Sequence, residues 1–322
     1  MSESIDIDQS ILITGGTGFV GSHLLEYLQA LDYKNIHLTS YGPASRWFLD
    51  RLPKENIHSL DLTNQPATRD LLAQIKPTQI YHLASIAATA GSFESLKKLL
   101  DNNIKLQLSL LTAIKELKLD PKILIVGSAD EYGVSLPEEL PIDENHPFRP
   151  VNPYAVSKIT QDMLAHVWFK AYGLKIVRVR PFAHIGERQL DVFSISSFAK
   201  QIALIEKGKQ QSLKVGNLDA WRDFSDVKDV VRAYYLLMTQ GEVGEVYNVG
   251  SGKKVQIKQM LERLVPLARV PIKVETDKKR LRPADIDVML ADISKIKKLG
   301  WQPEIELETS LKRVLNYWRE TL

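Results

Sequence analysis

At 322 residues the chain is long for one ordinary domain and suits one large α/β unit or two fused lobes. Apolar residues make up 44% and charged residues 25%, the make-up of a soluble globular protein, and a formal net charge of +3 is too small to argue for nucleic acid or a membrane surface as partner. There is no cysteine, which excludes disulfides, thiolate metal sites and cysteine nucleophiles, and the seven scattered histidines contain no HExxH, so no metal site is expected.

The start, MSESIDIDQS, is acidic and polar, unlike a signal peptide, and no apolar run approaches the roughly 20 residues of a membrane span, so a cytoplasmic protein is expected. Strand-like runs and helical patterns then alternate. SILIT (10–14) is followed by a helix over 19–31, NIHLTS (35–40), QIYHLA (79–84), a helix over 100–117, KILIVGS (122–128), a helix opened by Pro153, and KIVRVRP (175–181). Strand, helix, strand in repetition predicts a parallel sheet covered on both faces. Beyond 181 the rhythm turns irregular: a helix near 193–207, a strand at 213–215, a helix at 226–238, a buried strand at 245–250, a helix near 256–267 and a terminal helix near 307–320. The expected fold is α/β, a Rossmann-type doubly wound parallel sheet with a smaller C-terminal α/β substrate lobe. Residues 1–180, completed by 226–250, are expected to bind the cofactor, and 181–322, mainly 181–225 and 251–322, the substrate.

ILITGGTGFVG (11–21) runs from a strand into a helix, the setting a dinucleotide-binding loop requires. Gly15, Gly18 and Gly21 let the backbone turn tightly and approach a pyrophosphate, whose charge meets the helix N-terminus; Thr17, Phe19 and Val20 complete the loop. In NAD-binding loops an acidic residue after the second strand holds the ribose 2′-hydroxyl. Here that stretch reads HLTSYGPASR, with Ser40 and Arg46 in place of a carboxylate. A cation without a carboxylate suits a 2′-phosphate, which favours NADP(H), with NAD(H) as the alternative. In PVNPYAVSK (150–158), Tyr154 stands four residues before Lys158, on one face of a helix entered through Pro153. Such a pair is either a solvated helix face or a proton donor beside the cation that tunes it.

TGGTGFVG (14–21), DL (61–62), YHLAS (81–85), GSADEYG (127–133), NPYAVSK (152–158) and RPF (180–182) occur in the order seen in extended short-chain dehydrogenases/reductases, and the chain resembles that family over nearly its whole length. VGNLDAWRDFSDVKDVVRAY (215–234), GEVYNVGSG (244–252) and LRPADIDVMLADISKIKKLGWQP (281–303) resemble the branch acting on GDP-hexoses. RPFAHIGERQ (180–189) followed by FAKQIALIEKGKQ (198–210) looks most like GDP-4-keto-6-deoxy-D-mannose reductases, with GDP-mannose 4,6-dehydratases as near relatives.

That resemblance turns the tyrosine–lysine pair into chemistry. A hydride reduces a ketone well only if the oxygen receives a proton, and Tyr154 is the candidate donor. The Lys158 ammonium is expected to lower the phenol's pKa from its ordinary value near 10, and the resemblance also assigns it the nicotinamide ribose. Ser128, at the end of a strand, can hydrogen-bond the reacting oxygen. Asp130, expected on the same face as Ser128 if the backbone stays extended, stands where related dehydratases carry the carboxylate that removes the C5 proton. By resemblance, Asp61 and Leu62 lie at the adenine; Leu83, Ala84, Ser85, Asn103 and Pro181 belong to the cofactor site; and Asn217, Arg222, Arg282 and Asp285 hold the sugar nucleotide, Arg222 on its pyrophosphate. Ala183, Glu187 and Arg188 depart from the reductase pattern, which carries asparagine, proline and glycine there, and Ala87 stands where serine is frequent. These changes are expected to cluster around the sugar pocket. The resemblance further implies a GDP-sugar substrate, a nucleotide-sugar 4-epimerase as a weaker reading, and a homodimer formed through 100–117 and 154–172; a catalytically inactive Rossmann sensor is a reading of a different class, and Ser128, Tyr154 and Lys158 together argue against it.

Overall fold

In the computed structural model the described residues are 9–87, 96–280 and 286–322. Among them the first half alternates strand and helix: β1 (Ile11–Thr14), α1 (Phe19–Ala30), β2 (Ile36–Ser40), a short α2 (Arg46–Leu49), β3 (Ile57–Ser59), α3 (Gln65–Ile75), β4 (Gln79–His82), α4 (Leu96–Glu116), β5 (Lys122–Val126), α5 (Pro153–Tyr172) and β6 (Ile176–Pro181). The second half contains β7 (Ala183–Ile185), α6 (Ser194–Glu206), β8 (Leu213–Val215), β9 (Trp221–Asp226), α7 (Val227–Gln240), β10 (Val246–Val249), β11 (Lys254–Gln256), α8 (Ile257–Leu264), β12 (Val274–Thr276), α9 (Ser294–Lys297) and α10 (Leu307–Thr321).

Seven strands form one wholly parallel sheet in the order β10-β6-β5-β4-β1-β2-β3. Side chains of its central strands alternate between two apolar layers. Ile11, Ile13, Tyr81, Leu124 and Val177 pack with Leu24 and Leu28 of α1 and Val230 and Leu237 of α7. Leu12, Ile80, Ile123, Ile125 and Ile176 point the other way, onto Leu72 of α3, Leu110 and Ile114 of α4 and Ala165 of α5. The chain order reverses between β1 and β4, and such a reversal opens a crevice at the C-terminal strand ends. This is the expected Rossmann-type doubly wound sheet.

A second assembly stands beyond that edge. β9 runs parallel to β7 and antiparallel to β11, and β8 pairs with β12. Its separate core joins Phe198 and Ile202 of α6, Phe224 of β9, Met260 and Leu264 of α8, and Leu311 and Leu315 of α10. Several element ends differ from the sequence expectation, and two of the differences have a plain local cause. The helix predicted to 267 stops at Leu264, where Pro266 turns the chain into a 3-10 turn over Val265–Leu267. The strand predicted to 128 ends at Val126, because Ser128 already caps a tight turn.

Candidate active site

A cleft of about 1620 Å³ opens along the ends of β1, β4, β5 and β6 and continues toward β9 and α6. Pockets for drug-sized ligands run to about 1,000 Å³, so there is room for two nucleotide-sized groups. The phosphate loop forms one wall. Gly15 has φ +64, and a Cβ there would meet Ala84 Cα at 2.9 Å, so a side chain would be both strained and blocked. The Gly15 N–H donates to Thr39 Oγ1 at 3.0 Å, and Thr17 Oγ1 donates to Ser40 Oγ at 3.1 Å, which pins the loop to the end of β2. Gly18 opens α1 without a side-chain cap, and Gly18, Phe19, Val20 and Gly21 line the cleft. An uncapped helix start with close backbone approach fits a dinucleotide pyrophosphate.

The opposite wall carries the candidate chemistry. Asn152 caps α5 by accepting the Ala155 N–H at 2.8 Å, and Pro153 occupies the first turn. This entry fixes Tyr154, Lys158 and Asp162 along one buried face of the helix, four residues apart. Tyr154 and Lys158 line the cleft together with Ser128, Ala129 and Asp130. The Ser128 hydroxyl hydrogen-bonds Tyr154.

Two expectations about this wall are corrected. Residues 129–131 form a 3-10 turn, so strand alternation does not relate Ser128 to Asp130; instead the Asp130 N–H donates to Ser128 Oγ at 3.1 Å. Asp130 reaches the cleft through that turn. Nor is the Tyr154 pKa lowered. Burial raises it well above the ordinary tyrosine value, the Asp130 carboxylate adds to the rise, and the Ser128 hydrogen bond only partly opposes them. Tyr154 is therefore a firmly protonated acid, the state a proton donor has to hold. The Lys158 ammonium donates to the Val126 carbonyl at 2.8 Å, and burial pushes its pKa down to about 8.

Beneath Ser128 lies a buried ionic cluster that sequence reasoning missed. Glu131 accepts the Ser128 N–H at 2.8 Å and lies 3.1 Å from Arg180 Nε. Arg180 and Arg178 both bind Asp162. Burial first, then the Asp162 charge, push the Glu131 pKa well above the carboxylate range; burial also opposes the charge on Asp162, but the two guanidiniums outweigh it and hold that pKa down. The cluster locks α5 to β6 and fixes the Ser128 backbone. Its sequence signal was present: S-A-D-E (128–131) matches a capping box.

Ser40, Asp61, Leu62, Leu83, Ala84, Ser85 and Pro181 all line the cleft. Asp61 Oδ1 accepts from both the N–H and the hydroxyl of Thr63 at 2.8 Å. Arg46 and Asn103 are not brought to it. Arg46 is 91% exposed and ion-pairs with Asp50. Asn103 is fully buried and braces the chain, accepting the Ile86 N–H at 2.8 Å and donating to Ser157 Oγ at 3.1 Å. On β9, alternation turns Arg222 and Phe224 toward the cleft and Asp223 away, where it accepts from Ser251 and Gly252. Arg222 Nη1 donates to the Ile286 carbonyl at 2.6 Å, and Asn217, also in the cleft, accepts the Asp219 N–H at 2.9 Å. Arg282 and Asp285 lie outside the described residues. The cleft also takes Tyr41, Trp47 and His184, which no sequence pattern singled out, and Lys279 and Arg280, whose basic run reads in sequence as a solvated face. Ala87, Ala183 and Arg188 line the cleft as well, the Arg188 guanidinium being held there by Glu26 of α1, whereas Glu187 turns to Arg313 and is the one of these departures from the reductase pattern that does not.

The family model described as GDP-mannose 4,6 dehydratase matches residues 12–314. A GDP-6-deoxy-D-mannose reductase of Pseudomonas aeruginosa is 36% identical over 312 residues, spanning 96% of this chain and 97% of the relative. A GDP-mannose 4,6-dehydratase of Vibrio cholerae is 29% identical, with 92% and 90% covered. Among solved structures, that of RMD from Pseudomonas aeruginosa complexed with NADPH is similar at a TM-score of 0.85 and 34% identity, covering 98% of this chain and 100% of that one.

Proposed function

The chain belongs to the family described as GDP-mannose 4,6 dehydratase, and from that membership and the geometry of its cleft we propose that it is an NADPH-dependent reductase of the C4 ketone of a GDP-4-keto-6-deoxyhexose, acting in deoxysugar biosynthesis. The observation that carries this reading is the Ser128–Tyr154 pair, with the buried Tyr154 held protonated where it lines the cleft. The similarity to a reductase at 36% identity, against 29% for a dehydratase, supports reduction over dehydration. A solved relative complexed with NADPH supports NADP(H) over NAD(H), as does the absence of an acid among the described cleft residues at the end of β2.

In this reading residues 1–180 with 226–250 hold the cofactor on Gly15, Gly18 and Gly21, and the remainder holds the GDP-sugar. The bound nicotinamide supplies the hydride. Tyr154 gives its proton to the C4 oxygen as negative charge develops there, and the Ser128 hydroxyl donates to the same oxygen. Lys158 holds a positive charge beside the emptied phenol and lets it be reprotonated. Arg222 grips the sugar-nucleotide pyrophosphate with Asn217 nearby. The exposed residues Val156, Met163 and Val167 of α5, beside the partly exposed Leu100, Ile104 and Leu108 of α4, support a homodimer built on these two helices.

A second reading, a GDP-mannose 4,6-dehydratase, is favoured by one observation: Asp130 reaches the cleft beside Tyr154. Against it, Ala129 is buried where some dehydratases carry an acid, and Asp130 is a carbon shorter than glutamate. Proton transfer requires a reach of about 3 Å. The two substrates decide. GDP-4-keto-6-deoxymannose should consume NADPH stoichiometrically, and GDP-mannose alone should yield no keto sugar. Keto sugar from GDP-mannose without added reductant, lost in Asp130→Asn, would replace the reductase reading by the dehydratase.

A further inference from the structure

Arg188 holds a backbone conformation that side chains rarely take, with φ +69. Outside glycine such a residue is strained and persists only where its surroundings over-determine it. Its guanidinium is held by groups far away in the chain. It donates to Ser22 Oγ at 2.8 Å, to Glu26 Oε2 at 2.6 Å and to His23 Nδ1 at 3.0 Å, all on α1, the helix that begins at the phosphate loop. It also stacks over the Trp47 ring at 4.7 Å, just beyond the end of β2.

The neighbouring residue is fixed as firmly. A guanidinium only donates, so His23 Nδ1 accepts, and its other nitrogen carries the proton and donates to the Glu187 carbonyl at 2.9 Å. Burial and the Arg188 charge together keep this imidazole neutral, with a pKa of about 4. The Glu187 carboxylate pairs with Arg313 of α10 at 3.0 Å, and Arg313 pairs with the buried Asp226 at 2.6 Å. One dipeptide thus ties α1 of the large sheet to α10 of the second core. Both sides meet the cleft: Ser22 and Trp47 line it from the cofactor wall, and His184 and Gln189 flank the dipeptide on the substrate wall. Phe19 of α1 stacks on His184 at 5.8 Å, which continues the same seam.

We propose that Arg188 is a positioning residue that latches the loop after β7 onto α1 and Trp47, so that dinucleotide and sugar nucleotide bind the two walls of the cleft cooperatively. The inference rests on the reductase reading for the identity of the two ligands. A nucleotide that orders the loop from one side prepares the other wall, and the coupling is reciprocal.

The test is calorimetric titration of the intact protein with NADPH, with and without saturating GDP, and with GDP, with and without NADPH. The native protein is expected to bind each about tenfold more tightly in the presence of the other. In Arg188→Gly, which accepts the positive φ without strain, both ratios should approach one. Glu26→Gln, which leaves the loop backbone untouched, should also reduce them and decides the matter if Arg188→Gly does not fold. A residue that merely supports the fold would weaken both ligands equally and leave the ratios alone. Native ratios retained in both variants, or a native protein that binds NADPH and GDP independently, would overturn the latch and leave the reductase reading standing. A native protein that binds neither ligand would overturn that reading and the coupling with it.

Discussion

Replacing Tyr154 by phenylalanine removes one oxygen from a ring that is only 8% exposed. The fold should tolerate this. The lost hydrogen bond with Ser128 is worth about 1 kcal/mol, and phenylalanine no longer buries a hydroxyl, so the two effects nearly offset each other. The chemistry should not tolerate it. General acid catalysis contributes about 10²- to 10⁴-fold, roughly 3–5 kcal/mol of barrier. The variant should therefore bind NADPH with native affinity and lose at least a hundredfold in kcat, roughly, with KM little changed. Stopped-flow loss of the reduced nicotinamide absorbance separates the chemical step from product release. Ser128→Ala should cost less, and the double variant less than the product of the two losses, because both hydroxyls serve one oxygen. Turnover of Tyr154→Phe at the native rate would refute Tyr154 as the donor. Fully multiplicative losses would refute a shared oxygen.

Lys158 sets the alkaline limb. Burial lowers its pKa from 10.5 to about 8, so its cation is lost as pH rises through 8, and both NADPH affinity and kcat/KM should fall there. The unfolded chain keeps that proton to about 10.5, so between those values it binds more protons than the fold, and stability rises with pH while activity declines; a flat activity profile from about pH 7 to 9 would contradict the assignment. On the outer face of α5, Met163→Glu combined with Val167→Glu places two charges in the exposed apolar stripe and should convert a dimer to monomers by light scattering, whereas an unchanged mass would move the interface elsewhere.

The fold was legible wherever a local pattern sufficed. The alternating faces of β1, β4, β5 and β6 follow from apolar runs between glycine and proline signals, and the strand–glycine–helix passage at 11–21 placed the phosphate loop. The strands β3, β7, β11 and β12 were not legible, each having three residues, too few to display a period, although the equally short β8 was expected from its apolar ends; the six-residue β9 was missed as well, its WRDFSD reading as polar and irregular. The role of Asp130 was misread for a related reason. Alternation is valid only while the backbone stays extended, and the capping residues Ser128 and Glu131 end the strand sooner than its apolar content suggests.

Arg46 and Arg188 show where motif reading stops. Arg46 was chosen because a cation near the end of β2 suits a 2′-phosphate, yet its side chain leaves the protein surface toward Asp50, while Trp47 and Tyr41 line the cleft instead. A charge count along the chain cannot distinguish these outcomes, since neighbouring residues on a short helix point in different directions. Arg188 was expected at the sugar pocket, and it does line the cleft, but what anchors it could not be read from its neighbours in sequence. Its decisive partner, Glu26, is 162 positions away. The pairing exists only because the loop after β7 passes over the start of α1, and that proximity is a property of the folded sheet order. The departure at 187–188 supplies an ionic tie between two cores, and under the proposed latch its effect should appear in ligand coupling, whatever Arg188 adds where it lines the cleft.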